Sequence, residues 1–192
     1  MVSTRQWERL GYGKNSASKA GKVGRLHRVH RGVYAVGHRD LSWHGRCMAA
    51  VLASSPSVAG HLSAAWLWGL LRSRPGTLHV TCPRTRRSRR PFVTHAADLP
   101  PVDRAVRDGI PVTSLSRTIL DLAVDSRLRT VRRFIERADD DKHFDLRVMH
   151  DLLERTKGHR GGPKVRAALA AREVDGKVSL RTATWIVTAT AV

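Results

Sequence analysis

The residues best equipped to do chemistry are cations near the amino terminus. Lys14, Asn15, Ser18, Lys19 and Lys22, followed by Arg25, recur at spacings that gather long polar side chains on one side of a helix. The small residues Ala17, Ala20 and Gly21 fall on the other side and permit close packing. His27, Arg28, His30 and Arg31 follow in a β-prone stretch. Such a set suits duplex DNA. A helix fits the B-form major groove, and exposed Lys, Asn and Ser reach base edges and phosphates. Arginines on a flanking hairpin neutralise phosphates or enter the minor groove. On this reading Lys14, Asn15, Ser18, Lys19 and Lys22 face the groove. Arg25, Arg28 and Arg31 ride the backbone, with His27 and His30 as extra donors. The same spacing also suits a small amphipathic helix with a solvated face beside an ordinary hairpin. Gly13 and Gly21 weaken the helix, by about 1 kcal/mol each relative to Ala.

Other clusters invite other chemistry. Arg84, Arg86, Arg87, Arg89 and Arg90 crowd five guanidinium groups together, either as a second phosphate-contacting loop or as a solvated hairpin tip between two strands. Asp139, Asp140, Asp141, His143 and Asp145 offer hard oxygen ligands plus an imidazole. Consecutive helical residues diverge in direction, however, and Asp145 is placed to cap the next helix, so no metal site is expected. His27 and His30 form an HxxH without a Cys or carboxylate partner, which makes a poor zinc site. His61, Ser63 and Asp121 have the residue types of a hydrolase triad but no nucleophile elbow, and read as caps and core-edge groups. Trp66 and Trp68 sit inside an apolar segment and read as core rather than as base-stacking platforms. Neither a catalytic residue nor a cofactor is expected.

These side chains need elements to hold them. Residues 4–10 predict a short helix with Trp7 and Leu10 on one face, broken by Gly11-Tyr12-Gly13. Residues 14–23 predict a second helix, with Gly24 as its stop. The period then changes: strands at 26–29 and 33–36 flank a tight His30-Arg31-Gly32 turn. Helix, turn, helix and basic hairpin is the order of a winged helix-turn-helix. Helices are expected at 43–54 and 62–71. Strands are expected at 77–82, 92–96 and 105–112, the last interrupted by an Asp108-Gly109 turn. Thr113 or Ser114 caps a helix to about 124. Further helices are expected near 128–139, 145–156 and 163–173, followed by a weakly patterned tail. The expected fold class is α+β: an N-terminal winged helix-turn-helix over 1–40, a mixed domain with a small sheet and several helices over 41–172, and a tail over 173–192.

Composition agrees with this. The chain has 192 residues, 41% of them hydrophobic and 27% charged, which is enough for a core and outside the signature of disorder. Lys and Arg number 35 against 16 Asp and Glu, a formal net charge of +19. A surface of that sign draws polyanions and disfavours basic ligands. Arg far outnumbers Lys, a bias that genomic base composition can also produce. Residues 1–46 hold 10 basic and 2 acidic side chains, net +8, with almost no acidic relief. Cys47 and Cys82 lie far apart, with no CxxC and no disulfide framework, which points to a reducing cytosol. The apolar stretches at 64–71 and 183–192 fall short of the roughly 20 residues a membrane helix needs. No signal-peptide h-region opens the chain, so a cytoplasmic location without membrane partners is expected.

The string GRLHRVHRGVYAVGH (24–38), preceded by VSTRQWERLG, resembles the winged helix of the AbiEi-family antitoxin-domain proteins of actinobacteria. The likeness continues through HLSAAWLWGLL (61–71), TLHVTCPRTRRSRR (77–90) and VRDGIPVTSLSRTILDLA (106–123), and spans roughly residues 2–170. The resemblance implies a sequence-specific DNA-binding protein that represses its own promoter in a type IV toxin–antitoxin operon. It implies a partner in operator DNA. It also implies a nucleotidyltransferase toxin encoded nearby, opposed without obligatory contact. Relatives commonly carry another helix before the stretch that starts here at Val2. Many also continue into a C-terminal domain similar to very-short-patch-repair endonucleases, which needs an Asp…Glu-x-Lys set of metal ligands. After Asp175 no acidic residue follows, so no nuclease activity is expected. The alternative is the DNA-recognition portion, or a truncated remnant, of such an endonuclease.

Overall fold

The computed structural model describes residues 1–13, 15–83 and 91–174. The fold is α+β, as expected, and packs as two compact units: residues 1–64 with 74–113, and 65–73 with 114 onward.

The first unit begins with β1 (Val2–Ser3) and α1 (Thr4–Arg9). Ser3 closes a capping box: its hydroxyl accepts from the Gln6 amide at 3.2 Å, and the Gln6 side chain accepts from the Ser3 amide at 2.9 Å. Helix α2 (Ser16–Lys22) follows, and Gly24 takes the left-handed conformation (φ 76°) that turns the chain into β2 (Leu26–His30). Strand β2 pairs antiparallel with β3 (Val33–Val36), with a register shift between Arg28 and His30, and β1 pairs with the far side of β3. The sheet order is β1-β3-β2. Thr4 ties the hairpin tip to α1 by donating its amide to the Gly32 carbonyl at 2.8 Å.

Helix α3 (Trp43–Ser54), capped by Ser42, touches all three of these strands. It also touches β4 (Val58–Ala59), β5 (Leu78–Cys82) and β8 (Ile110–Thr113). Its Cys47, Ala49 and Ala50 are fully buried, and their small size lets both sheets approach. Helix α3 thus joins the small sheet that precedes residue 40 to the strands that follow it.

The larger sheet adds β6 (Phe92–Ala96) and β7 (Arg104–Arg107), in the order β6-β5-β4-β8-β7. Three features differ from the sequence-based expectation. The strand expected over 105–112 is a hairpin of two: Asp108 and Gly109 both have positive φ, the requirement of a tight turn whose twist matches its strands, and β7 folds back on β8. The central strand β4 was not expected; two residues after Ser-Pro carry too little periodicity to be read. Strands β5 and β6 pair in parallel, not as the antiparallel arms of a hairpin. The arginines of 84–90 themselves lie outside the described residues.

The second unit is helical. Helix α4 (His61–Leu67) leads into it, and α5 (Leu115–Ala123) packs against α6 (Leu128–Asp140), α7 (Leu146–Arg155) and α8 (Gly162–Val174). The core gathers Leu70, Ile119, Leu120, Ile135, Met149, Leu152 and Val165. Helix α4 is shorter than the expected 62–71. Every residue of α5 is buried, including four polar ones. Arg117 donates to Asp121 at 2.8 Å one turn later, and the Thr118 hydroxyl donates to the Ser114 carbonyl at 2.8 Å. Cations close the carbonyl ends of helices: Lys164 donates to Val124 and Ser126 beyond α5, and Arg166 to Leu153 of α7. The expected tail beyond 174 lies outside the described residues.

Candidate nucleic-acid interface

Helix α2 is a two-turn rod of about 10 Å at 1.5 Å per residue. Asn15, Ser18, Lys19 and Lys22 are spaced i, i+3, i+4, i+7, which is one stripe of a helix, and all four are exposed. Ala17 on the opposite side is buried at 1% exposure and packs with Val2 and Leu26, with Trp7, Ala20 and Tyr34 around them. At Gly21 a Cβ would stand 3.6 Å from the Leu26 carbonyl, so small residues let the rod lie close on β2. The rod is held at its start by Trp7, whose indole N–H donates to the Ser16 hydroxyl at 2.7 Å while its ring stacks on Tyr12 at 4.3 Å. Asn15 occupies the N-cap position without making a capping bond, so its carboxamide is not spent on the helix. Lys14 lies outside the described residues.

The hairpin continues the cationic surface. Arg25, Arg28 and Arg31 are exposed. The two histidines are half-buried and engaged. His30 meets the Phe92 ring edge-on at 5.4 Å. His27 accepts from the Arg39 guanidinium at Nδ1, 3.4 Å away, and its Nε2 lies 3.4 Å from the Gly37 carbonyl. That pairing assigns the proton to Nε2, since a neutral imidazole has one donor and one acceptor. Arg39 was not among the residues singled out from sequence, because two residues, Gly37 and His38, separate it from the end of the hairpin.

The other candidates resolve into structural roles. Asp145 caps α7, accepting from the Arg147 and Val148 amides. Asp139 pairs with Arg172 at 2.6 Å. Among the described residues no group of His, Cys, Asp or Glu is disposed to hold a metal. Ser63 is fully buried and accepts from the His79 amide at 2.8 Å. Asp121 is engaged by Arg117 and, at 3.4 Å, by His159 Nε2; the Gly161 amide donates to the other ring nitrogen of that histidine. Trp66 and Trp68 are half-buried, and Trp68 packs on the helical core. Burial pushes the Cys47 thiol up to about 12, against a smaller pull from the Ser63 hydroxyl, so it is no nucleophile at neutral pH.

One grouping had no sequence signal. His61 of α4, His79 of β5 and His95 of β6 stack their rings. His61 and His95 lie 3.4 Å apart between centroids, and His79 Nδ1 is 2.9 Å from His95 Nε2. Burial, then the neighbouring His95, holds the His79 imidazole below its ordinary value.

No curated protein matches the sequence. Among solved structures, the RV2827C protein from Mycobacterium tuberculosis superposes with a TM-score of 0.54 at 16% identity, covering 87% of this chain and 71% of that one, a likeness of fold. Among the described residues no helix is long and apolar enough to cross a membrane. The family model described as the AbiEi antitoxin C-terminal domain matches residues 58–173, which takes in β4 through α8 and leaves α2 and the basic hairpin outside the match. More than half of the chain is covered, and the chain belongs to the AbiEi antitoxin family.

Proposed function

We propose that this chain is a sequence-specific duplex-DNA-binding protein that acts as a transcriptional repressor and antitoxin, with residues 1–40 as its DNA-binding module. The observation that carries the reading is the single exposed stripe Asn15, Ser18, Lys19 and Lys22 on a rod whose opposite side is buried through Ala17. A rod of this width enters a major groove, where its carboxamide reads base edges and its amines reach base edges and phosphates. Arg25, Arg28 and Arg31 anchor phosphates on either side, fixing register without adding sequence information. Family membership supports the antitoxin role: occupying an operator opposes a toxin, of nucleotidyltransferase type, at the level of its synthesis and needs no contact with it. The protein contributes binding and orientation and no bond-breaking step.

The test is a gel-shift series on the chain's own promoter region against a random duplex. The parent should prefer the promoter. Asn15→Ala and Lys19→Ala should erode that preference, whereas Arg28→Ala and Arg31→Ala should weaken both duplexes alike. Four variants that bind like the parent would remove the assignment.

A further inference from the structure

Strand β7 ends the larger sheet, and among the described residues no strand covers its outer edge. The turn at Asp108 and Gly109 makes Arg107 and Ile110 the hydrogen-bonded pair that closes the β7–β8 hairpin. Bonded and non-bonded pairs alternate, so Val106 and Pro111 stand opposite each other without exchanging bonds. Pro111 has no amide hydrogen to give and fits that place. The amide and carbonyl of Val106 therefore point away from β8, out along the free edge. The Arg104 amide already donates to the Pro101 carbonyl, so within β7 it is Val106 that offers both groups. Its side chain is 68% exposed, an apolar group left open on a sheet edge.

We propose that this edge pairs with a second copy of the chain, β7 against β7, antiparallel about a two-fold axis at Val106, doubling the five-stranded sheet. Each Val106 then donates its amide to the carbonyl of the other, and the two side chains meet on one face beside the prolines at 111. The same register sets Arg104 opposite Asp108 of the second copy, and the symmetry makes that pair twice. Slipping the strands one way sets Arg104 against Val106, and a step further against its own copy. Slipping them the other way sets Arg107 against its own copy. Charge thus selects the occupant: a strand with a cation and an anion on either side of an apolar residue, which is β7 itself. Arg104 gives Nε and one Nη to the Leu99 carbonyl and keeps its other Nη for the carboxylate. Asp108 lies 3.6 Å from His44, and its side chain is 56% exposed, open to a second cation. A four-residue edge buries less than the roughly 1,200 Å² of a standard interface, so the association is transient, with a dissociation constant on the order of 100 µM. None of this rests on the DNA-binding reading of α2.

The experiment is sedimentation equilibrium of the full chain from about 10 to about 500 µM at about 0.15 M salt, where the repulsion of a net +19 charge is screened beyond about 8 Å. The parent should pass from monomer to dimer across that range. Val106→Pro removes the outward amide and leaves the ladder to β8 intact, because proline is tolerated on a free edge. It should raise the dissociation constant about tenfold or more while circular dichroism stays that of the parent. Asp108→Arg and Arg104→Asp each set like charges opposite each other and should be monomeric alone. Mixed one to one, they restore both opposite-charge pairs and should dimerise as the parent does. A parent that stays monomeric throughout would sink the proposal. So would a dimer that Val106→Pro leaves unchanged, which would place the interface elsewhere. If both charge variants fold and their mixture stays monomeric, the register is refuted; if either fails to fold, the Val106→Pro comparison decides.

Discussion

The salt dependence of duplex binding is the sharpest consequence of the arrangement on α2 and the hairpin. Five exposed cations are available to phosphates there: Lys19, Lys22, Arg25, Arg28 and Arg31. Each neutralised phosphate releases counterions and contributes about −0.9 to the slope of log affinity against log salt, so five give a slope of about −4.5. Between about 50 and about 200 mM salt the parent should therefore lose about 500-fold in affinity. The double variant Arg28→Ala/Arg31→Ala removes two of the five contacts, and its slope should flatten to about −2.7, a loss of about 40-fold over the same interval. Fluorescence anisotropy with a fixed duplex at four or five salt concentrations measures both slopes directly. Both side chains are exposed, so the variant should fold as the parent does; circular dichroism checks this. A double variant with the parent's slope would mean that the hairpin does not touch phosphates, and the assignment of the backbone contacts would be wrong even if the protein binds DNA.

Further outcomes follow from particular residues. Asn15→Ala should lower the ratio of specific to random duplex affinity with little change in salt slope, because a carboxamide reads base edges and releases no counterion; competition gel shifts measure it. Gly161→Ala should destabilise the helical unit by about 1–3 kcal/mol, because a Cβ there overlaps the Leu120 carbonyl oxygen of α5, and backbone cannot retreat as a flexible side chain would. Gly76→Ala, whose Cβ would meet nothing within 4 Å, is the control for thermal melts. The lowered His79 value means that the unfolded chain takes up a proton at this site before the folded one does. The stability it contributes is complete above its ordinary value of 6.5 and drains as the pH falls below it. The melting midpoint should thus drop more between about pH 7 and pH 5 for the parent than for His79→Asn. Plasmid incubated with the protein and Mg²⁺ or Mn²⁺ should remain intact on an agarose gel, and nicking would favour the endonuclease alternative.

The local architecture of the candidate site was legible because local rules govern it. Ala17, Ala20 and Gly21 against Asn15, Ser18, Lys19 and Lys22 is a helical period written in seven residues, and Gly24 and Gly32 mark stops where the backbone takes positive φ. The caps at Ser114 and Asp145 were equally local. Local rules are silent where polarity and exposure part. In α5, Ser116, Arg117, Thr118 and Asp121 are polar yet buried, because Arg117 and Asp121 neutralise each other and the hydroxyl of Thr118 returns to its own helix. They missed β4, whose two residues show no period and form a strand only because β5 and β8 flank them.

The sequence by itself determined the sign and placement of charge, the family, and the succession of short helices and strands, since each depends on composition or on residues within one or two turns of each other. Only the tertiary structure decided the parallel pairing of β5 with β6, the use of α3 against both sheets, the stacking of His61, His79 and His95, and the hold of His27 on Arg39. Each of these joins residues from different elements. A hydrophobic period says that a face must be covered but not by what, so the choice of partner passes to packing and to the pairing of buried polar groups.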